Sequence, residues 1–212
     1  MSDTSKELKP SIQAVLFDYG GVLAEEGFRE GLKNIARWHG LDPEAFHRLG
    51  GEMVYDSGYV VGRGDEPAFW NLMCRRSGLP SYESRFTDEI LRRFVLRPTM
   101  LAAVRSLNRR GYRTAILSDQ TDWLERLDDR DRFFEEFDRV FNSYRLGKGK
   151  RDSSIFDDTL RELHLVPAQA LFIDDNAGHV ARAAGRGLHT ILFHDQQQAL
   201  AEMAQILGHP VP

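Results

Sequence analysis

The stretch Ala14–Leu23, AVLFDYGGVL, constrains this chain more than any other. Four apolar residues, Ala14-Val15-Leu16-Phe17, stop at an acid, Asp18. Two glycines follow, Gly20 and Gly21, and the chain turns apolar again at Val22 and Leu23. A short apolar run closed by turn residues suits a strand buried on both faces. Glycines just past its end suit a tight turn where backbone approaches a ligand closely. Open α/β sheets place their chemistry at the carboxyl ends of their strands. Taken alone, the stretch reads equally well as a functional carboxylate on a strand lip or as an Asp capping a strand before an ordinary turn.

The rest of the chain repeats the pattern. Thr114–Leu117 is an apolar run ending in Ser118-Asp119, and Ala170–Ile173 ends in Asp174-Asp175. Thr190–Phe193 is a last strand, and Val140-Phe141 a weak one. Helical periodicity separates them, at Leu101, Val104 and Leu107, at Trp123, Leu124 and Leu127, at Ile155, Phe156, Leu160 and Leu163, and at Val180, Ala183 and Ala184. An Ala/Gln-rich helix closes the chain. Strands alternating with helices predict a Rossmann-like parallel sheet flanked by helices. The region 27–97 differs, reading as helix upon helix. Phe28, Leu32, Ile35 and Ala36 share a face that ends at Gly40. Asp42-Pro43 and Asp65 with Pro67 read as helix starts, Gly78 as a stop, Phe86, Ile90, Leu91 and Phe94 as a fourth helix, and Pro98 as the punctuation at its end. The predicted fold class is α/β. A core of residues 11–24 and 98–212 carries a small all-helical cap of residues 25–97, inserted after the first strand.

Composition excludes several function classes. With a net charge of -4 and no long basic run, no dedicated nucleic-acid or anionic-membrane surface is expected. Cys74 is the only cysteine, which rules out an intrachain disulfide; it sits among apolar helix residues and reads as near-core, not as a nucleophile. The opening MSDTSKELKPSIQ is polar and lacks the apolar centre of a signal peptide, and no apolar stretch reaches transmembrane length. Residues 1–10 read as a loose tail, and the expected compartment is the cytoplasm.

The topology supplies the chemistry. A parallel sheet brings Asp18, Ser118 and Asp174-Asp175 to one edge although they are far apart in sequence. Carboxylates gathered there repel one another unless a cation sits between them. All-oxygen ligation suits Mg2+, which uses one or two carboxylates together with waters and substrate phosphate. Asp18 can give one oxygen to the metal and keep the other as a nucleophile, Ser118 can donate to a phosphate oxygen, and a nearby lysine would balance the charge. Each residue also has a plain reading (Ser118 as a helix cap, Asp174 and Asp175 as turn residues), but their concurrence at one edge favours a site.

With these motifs assembled, the chain resembles the haloacid dehalogenase superfamily, most closely its phosphatase-like members with a helical cap after the first motif. The resemblance runs from about Ala14 to Phe193. LFDYGGVL matches the first motif and implies that Asp18 is the nucleophile. AILSD matches the second and implies that Ser118, with Asp119 beside it, binds substrate phosphate. KRDSSIF aligns Lys150 with the motif lysine, although the prolines common there are absent; Lys148 is the competitor, disfavoured by its spacing to Ile155-Phe156. LFIDDN matches the fourth motif and implies that Asp175 binds the metal directly, with Asp174 behind it or bound through water. Asp18 and the Gly20 carbonyl complete the implied magnesium site.

One position departs from that pattern. Phosphatases of this family carry a second Asp two residues after the nucleophile as general acid and base, and here that residue is Gly20. Asp119, Glu25 and Glu26 are the candidate substitutes. In the cap, Phe69 and Trp70 read as core, whereas Tyr55, Tyr59 and Arg63 fit either the active site or a solvated loop. The leading expectation is a magnesium-dependent phosphohydrolase that takes a small phosphorylated metabolite through an aspartyl-phosphate, as a monomer or homodimer. The alternatives are a halogen–carbon hydrolase, which needs no leaving-group acid, and a catalytically weak family member that binds a phosphorylated ligand or a partner protein.

Overall fold

The structure, a computed structural model, describes residues 12–211; the expected tail at 1–10 and the outermost core residues 11 and 212 lie outside the described residues. Five strands form one parallel sheet: β1 (Ala14–Phe17), β2 (Arg113–Ser118), β3 (Arg139–Asn142), β4 (Ala170–Asp174) and β5 (His189–Leu192), in the order β3-β2-β1-β4-β5. The last strand lies one residue earlier than the apolar run Thr190–Phe193 suggests, because its pairing with β4 begins at His189 opposite Leu171; the Phe193 N–H still bonds to the Asp174 carbonyl.

β1 lies at the centre and is wholly buried. Its side chains alternate between two cores, as a strand covered on both faces requires. Val15 and Phe17 face one core, and Ala14 and Leu16 face another shared with Ile155, Phe156 and Leu160 of α8 (Ser154–Glu162) and Ala183 of α9 (Ala177–Gly185). Register fixes the edge. Phe17 is opposite Ile116 and Ile173, so Asp18 and Asp174 leave the sheet side by side, and Ser118, one residue further along β2, reaches Asp18 with its hydroxyl.

Between β1 and β2 lie five helices: α1 (Gly27–Trp38), α2 (Pro43–Asp56), α3 (Glu66–Ser77), α4 (Ser84–Arg93) and α5 (Pro98–Arg109). Local chemistry sets their ends. The Asp42 and Asp65 side chains accept from the N–H groups of Ala45 and Ala68, each with proline in the first turn, and Gly78 takes the left-handed conformation past α3. Pro98 opens α5 rather than closing the helix before it, and α4 stops at Arg93. α1 packs against α2 and α4, and α2 against α3, whereas α5 packs on β2. Leu32, Ile35, Phe46, Phe69 and Trp70 of this helical insert belong to one apolar cluster with Val15 and Phe17 of the sheet. Helices α6 (Trp123–Asp131), α7 (Ser143–Leu146) and α10 (Gln196–Leu207) complete the core; the one-turn α7 has no apolar periodicity and escapes the sequence reading. Among the described residues, no helix is long and apolar enough to cross a membrane.

Candidate active site

At the carboxyl edge of the sheet, one oxygen from each of Asp18, Asp174 and Asp175 lies within 4.8 Å of the others. The fully buried Lys150 reaches this cluster, with its ammonium 2.5 Å from Asp174 Oδ2 and 3.0 Å from Asp18 Oδ1. Asp18 Oδ1 also accepts from the Ser118 hydroxyl at 2.7 Å and from the Tyr19 N–H at 2.7 Å. Oδ2 of Asp18 carries no hydrogen bond or ion pair among the described residues.

The two acids of the pair behave differently. Asp174 is completely buried, and its oxygens are taken by Lys150, by the Asn176 N–H at 2.7 Å and by His179 Nδ1 at 3.3 Å. Burial pushes its carboxyl upward, but Lys150 and His179 outweigh burial and hold it well below the usual carboxylate range. Asp175 makes no such bonds among the described residues, and burial followed by the nearby Asp174 charge raises it. Burial likewise pushes Asp18 up to about 8, despite Lys150, with Asp174 and Asp175 adding to the rise. Burial would lower Lys150, but Asp174 and Asp18 raise it, so it stays charged. One ammonium facing three acids leaves a surplus of negative charge that a divalent cation would offset.

Gly21 shapes the same cluster. Its φ is 83°, and a Cβ there would come within 2.3 Å of Asp175 Oδ2, so only glycine lets the loop pass this close to the acid. Gly20 is different. Its φ lies outside the left-handed region, and a Cβ would meet Phe94 Cε1 at 3.2 Å and Glu26 Oε1 at 3.6 Å.

Above the cluster lies a cavity of about 330 Å³. Asp18, Lys150, Asp175 and His179 form part of its floor, while Phe28, Val54, Tyr55 and Val60 supply apolar wall from the helical insert. Arg29, His47 and Arg151 also line it. The insert is tied to the core by polar contacts. The Tyr55 hydroxyl donates to Asp119 Oδ2 at 2.5 Å, the Tyr59 hydroxyl to Asp122, and the Ser143 hydroxyl to the Val60 carbonyl at 2.6 Å. Glu66 accepts from Trp123 Nε1 at 2.8 Å and from Arg126 at 2.9 Å.

The structure thus brings Asp18, Ser118, Lys150, Asp174 and Asp175 together. Asp119 lines the cavity, but both its oxygens are held, one by Tyr55 and the other by the Lys150 N–H at 2.7 Å. Lys148 stands apart, bonded to Ser154 at 2.9 Å and paired with Asp158. Glu25 is exposed and pairs with Arg97 at 2.9 Å, outside the cavity. Glu26 lines the cavity as the N-cap of α1. Phe69 and Trp70 are core, Tyr59 is buried, and Arg63 reaches the Gly147 carbonyl. His179 escapes sequence reasoning; its only signal is its place in the first turn of the helix that follows the paired acid.

A family model described as haloacid dehalogenase-like hydrolase matches residues 12–186. The chain belongs to this family. Among curated proteins, this haloacid dehalogenase-like hydrolase is 29% identical over 221 residues to the mouse acyl-CoA dehydrogenase family member 10, a match spanning 95% of the chain and 20% of the relative. It is 28% identical over 134 residues to mouse bifunctional epoxide hydrolase 2, covering 60% of the chain and 24% of the relative. The chain therefore spans about a fifth to a quarter of these relatives' length. Among solved structures, a predicted HAD-like family hydrolase from Porphyromonas gingivalis superposes with a TM-score of 0.71 at 23% identity, over 92% of this chain and 98% of that one. A HAD family enzyme from Bacteroides thetaiotaomicron, in complex with magnesium and inorganic phosphate, gives 0.67 at 20% identity, over 89% and 99%. The L-2-haloacid dehalogenase of Xanthobacter autotrophicus, with chloropropionic acid covalently bound, gives 0.63 at 20% identity, over 92% and 82%. All three share the α/β fold with its helical insert, the architecture of a capped member of this family.

Proposed function

We propose that this hydrolase is a magnesium-dependent phosphohydrolase acting on a small phosphorylated metabolite through an aspartyl-phosphate on Asp18. The observation that carries the reading is the clustering of three carboxylates around one buried ammonium. The donor set fits magnesium, being all oxygen with uncompensated negative charge. Asp18, Asp175 and the Gly20 carbonyl would hold the ion. Asp174, whose oxygens are already occupied, would act from behind them. When bound, magnesium supplies charge neutralisation and polarisation of the phosphoryl oxygens.

The chain's own residues do the rest. Lys150, Ser118 and the Tyr19 N–H hold Asp18 by Oδ1, which leaves Oδ2 free to attack phosphorus. The leaving-group oxygen departs, the phosphoryl group stays on Asp18, and water then releases inorganic phosphate. Lys150 offsets negative charge as it develops, and Ser118, whose one hydroxyl proton goes to Asp18 in the free site, would turn that proton to a phosphoryl oxygen of bound substrate. The cavity's apolar and cationic walls favour a small ligand with an anionic head, and the helical insert supplies one side of it. A haloacid substrate fits less well, since its carboxylate would meet Asp174 and Asp175 without need of a cation.

The test is phosphate release from a panel of phosphate monoesters, with and without magnesium. Release that EDTA abolishes and added magnesium restores is expected. Full activity on 2-chloropropionate in excess EDTA, with no phosphate released from any ester, would overturn the reading.

A further inference from the structure

We propose that Glu26 is the acid–base residue of this site, giving its proton to the leaving-group oxygen and then taking one from the attacking water. The inference rests on the phosphohydrolase reading above.

An alkoxide leaves phosphorus slowly unless it is protonated, and a positioned acid contributes typically about 10²–10⁴-fold. The loop after the nucleophile supplies no acid of its own. Tyr19 is buried against Phe133 with ring centroids 4.8 Å apart, and residues 20 and 21 are glycines. The donor must therefore come from elsewhere on the cavity wall, where most titratable groups are committed. Asp119 has both oxygens bonded, and the Tyr55 hydroxyl is one of its donors. Lys150 is locked between Asp18 and Asp174, and His179 faces Asp174. Glu25 lies outside the cavity, paired with Arg97.

Glu26 differs from all of these, and from His47, which also lines the cavity but has no atom within 4 Å of where a Gly20 Cβ would stand. Oε2 caps α1, accepting from the Arg29 N–H at 2.9 Å, which fixes the side chain. Oε1 carries no hydrogen bond among the described residues. It lies 3.6 Å from the point where a Cβ on Gly20 would stand, two residues beyond Asp18. One oxygen is anchored and the other is free, beside the space that glycine leaves open. Burial raises the Glu26 carboxyl, which favours its protonated form before the reaction.

Asp18 Oδ2 bonds to phosphorus while the bond from phosphorus to the leaving oxygen breaks, and the Glu26 proton goes to that oxygen, giving the free alcohol. Water oxygen then bonds to phosphorus as the bond from phosphorus to Asp18 breaks. Glu26 takes the water proton, and inorganic phosphate leaves with Asp18 and Glu26 as they began.

The experiment compares wild type with Glu26→Gln, which keeps an oxygen for the α1 cap, on substituted phenyl phosphates of graded leaving-group pKa in magnesium. Wild type should show a shallow dependence of kcat/KM on leaving-group pKa, and Glu26→Gln a steep one. With p-nitrophenyl phosphate the variant should fall less than about 10-fold, and with the most basic phenol by about 10²–10³-fold. Gly20→Asp placed on Glu26→Gln should flatten the dependence again, with the buried Phe94 ring giving by a few tenths of an ångström to a Cβ that would stand 3.2 Å from its Cε1. Equal losses across the series, or none, would overturn the role of Glu26 while leaving the phosphohydrolase reading intact. Absence of magnesium-dependent turnover of any ester in the wild type would overturn both.

Discussion

The sheet edge and the helical insert face each other across one cavity, but they hold their functional groups by different means. At the edge, position follows from strand register. Asp18 and Asp174 emerge side by side because Phe17 and Ile173 are neighbours in the ladder, and Ser118, two residues past Ile116, reaches Asp18 with its hydroxyl. In the insert, position follows from packing and from single polar contacts such as Tyr55 to Asp119 and Glu66 to Trp123. The edge is thus rigid and dominated by buried charge. The insert is attached by apolar contacts and a few exchangeable hydrogen bonds, an arrangement suited to admitting and enclosing a ligand.

The largest expected effect lies at the edge. Lys150→Met leaves Asp18 and Asp174 buried without their shared cation and should cost about 3–5 kcal/mol in urea unfolding without magnesium. Lys148→Met, whose side chain is 30% exposed beside Asp158, should cost about 0–1 kcal/mol. Equal losses for the two lysines would erase the distinction between a buried edge and its surroundings.

A smaller effect is expected where the insert meets the core. Glu66 accepts from Thr87 at 2.6 Å, as well as from Trp123, Tyr82 and Arg126. Burial would raise its carboxyl, but these donors outweigh burial and hold it below the ordinary value of 4.5. Because the folded value is the lower one, the stabilisation is complete above pH 4.5 and is lost as pH falls through the folded value. Glu66→Gln should therefore cost about 1–3 kcal/mol at pH 7, a difference that shrinks in acid. A cost independent of pH would mean that the bridge is not held by its charge.

The same contrast explains what the sequence made legible. The strand ends were readable because an apolar run stopping at Asp18, at Ser118 or at Asp174 places that residue at the sheet edge with little help from the rest of the fold. The choice between Lys150 and Lys148 followed from spacing to Ile155-Phe156, and the structure puts Lys150 on the acids. Pro98 reads in sequence as the end of one helix but opens the next, because a proline suits both places for the same chemical reason. Glu25, Glu26 and Asp119 could not be separated in sequence. Adjacent residues on a turn differ in direction, and only the fold sends Glu25 to Arg97 and Glu26 into the cavity. His179 is hard to read for a similar reason, since its place in the first helix turn after the paired acid does not say which carboxylate it faces.

The most direct measurement is the site of covalent phosphoryl transfer. During turnover of p-nitrophenyl phosphate with magnesium, an acid-quenched sample should carry the mass of one phosphoryl group on the peptide containing Asp18. Asp18→Asn should lose both that adduct and turnover while keeping its fold, because the change is nearly isosteric at a strand end. A phosphoryl group on another residue, or wild-type turnover in pure Asp18→Asn protein, would contradict Asp18 as the nucleophile.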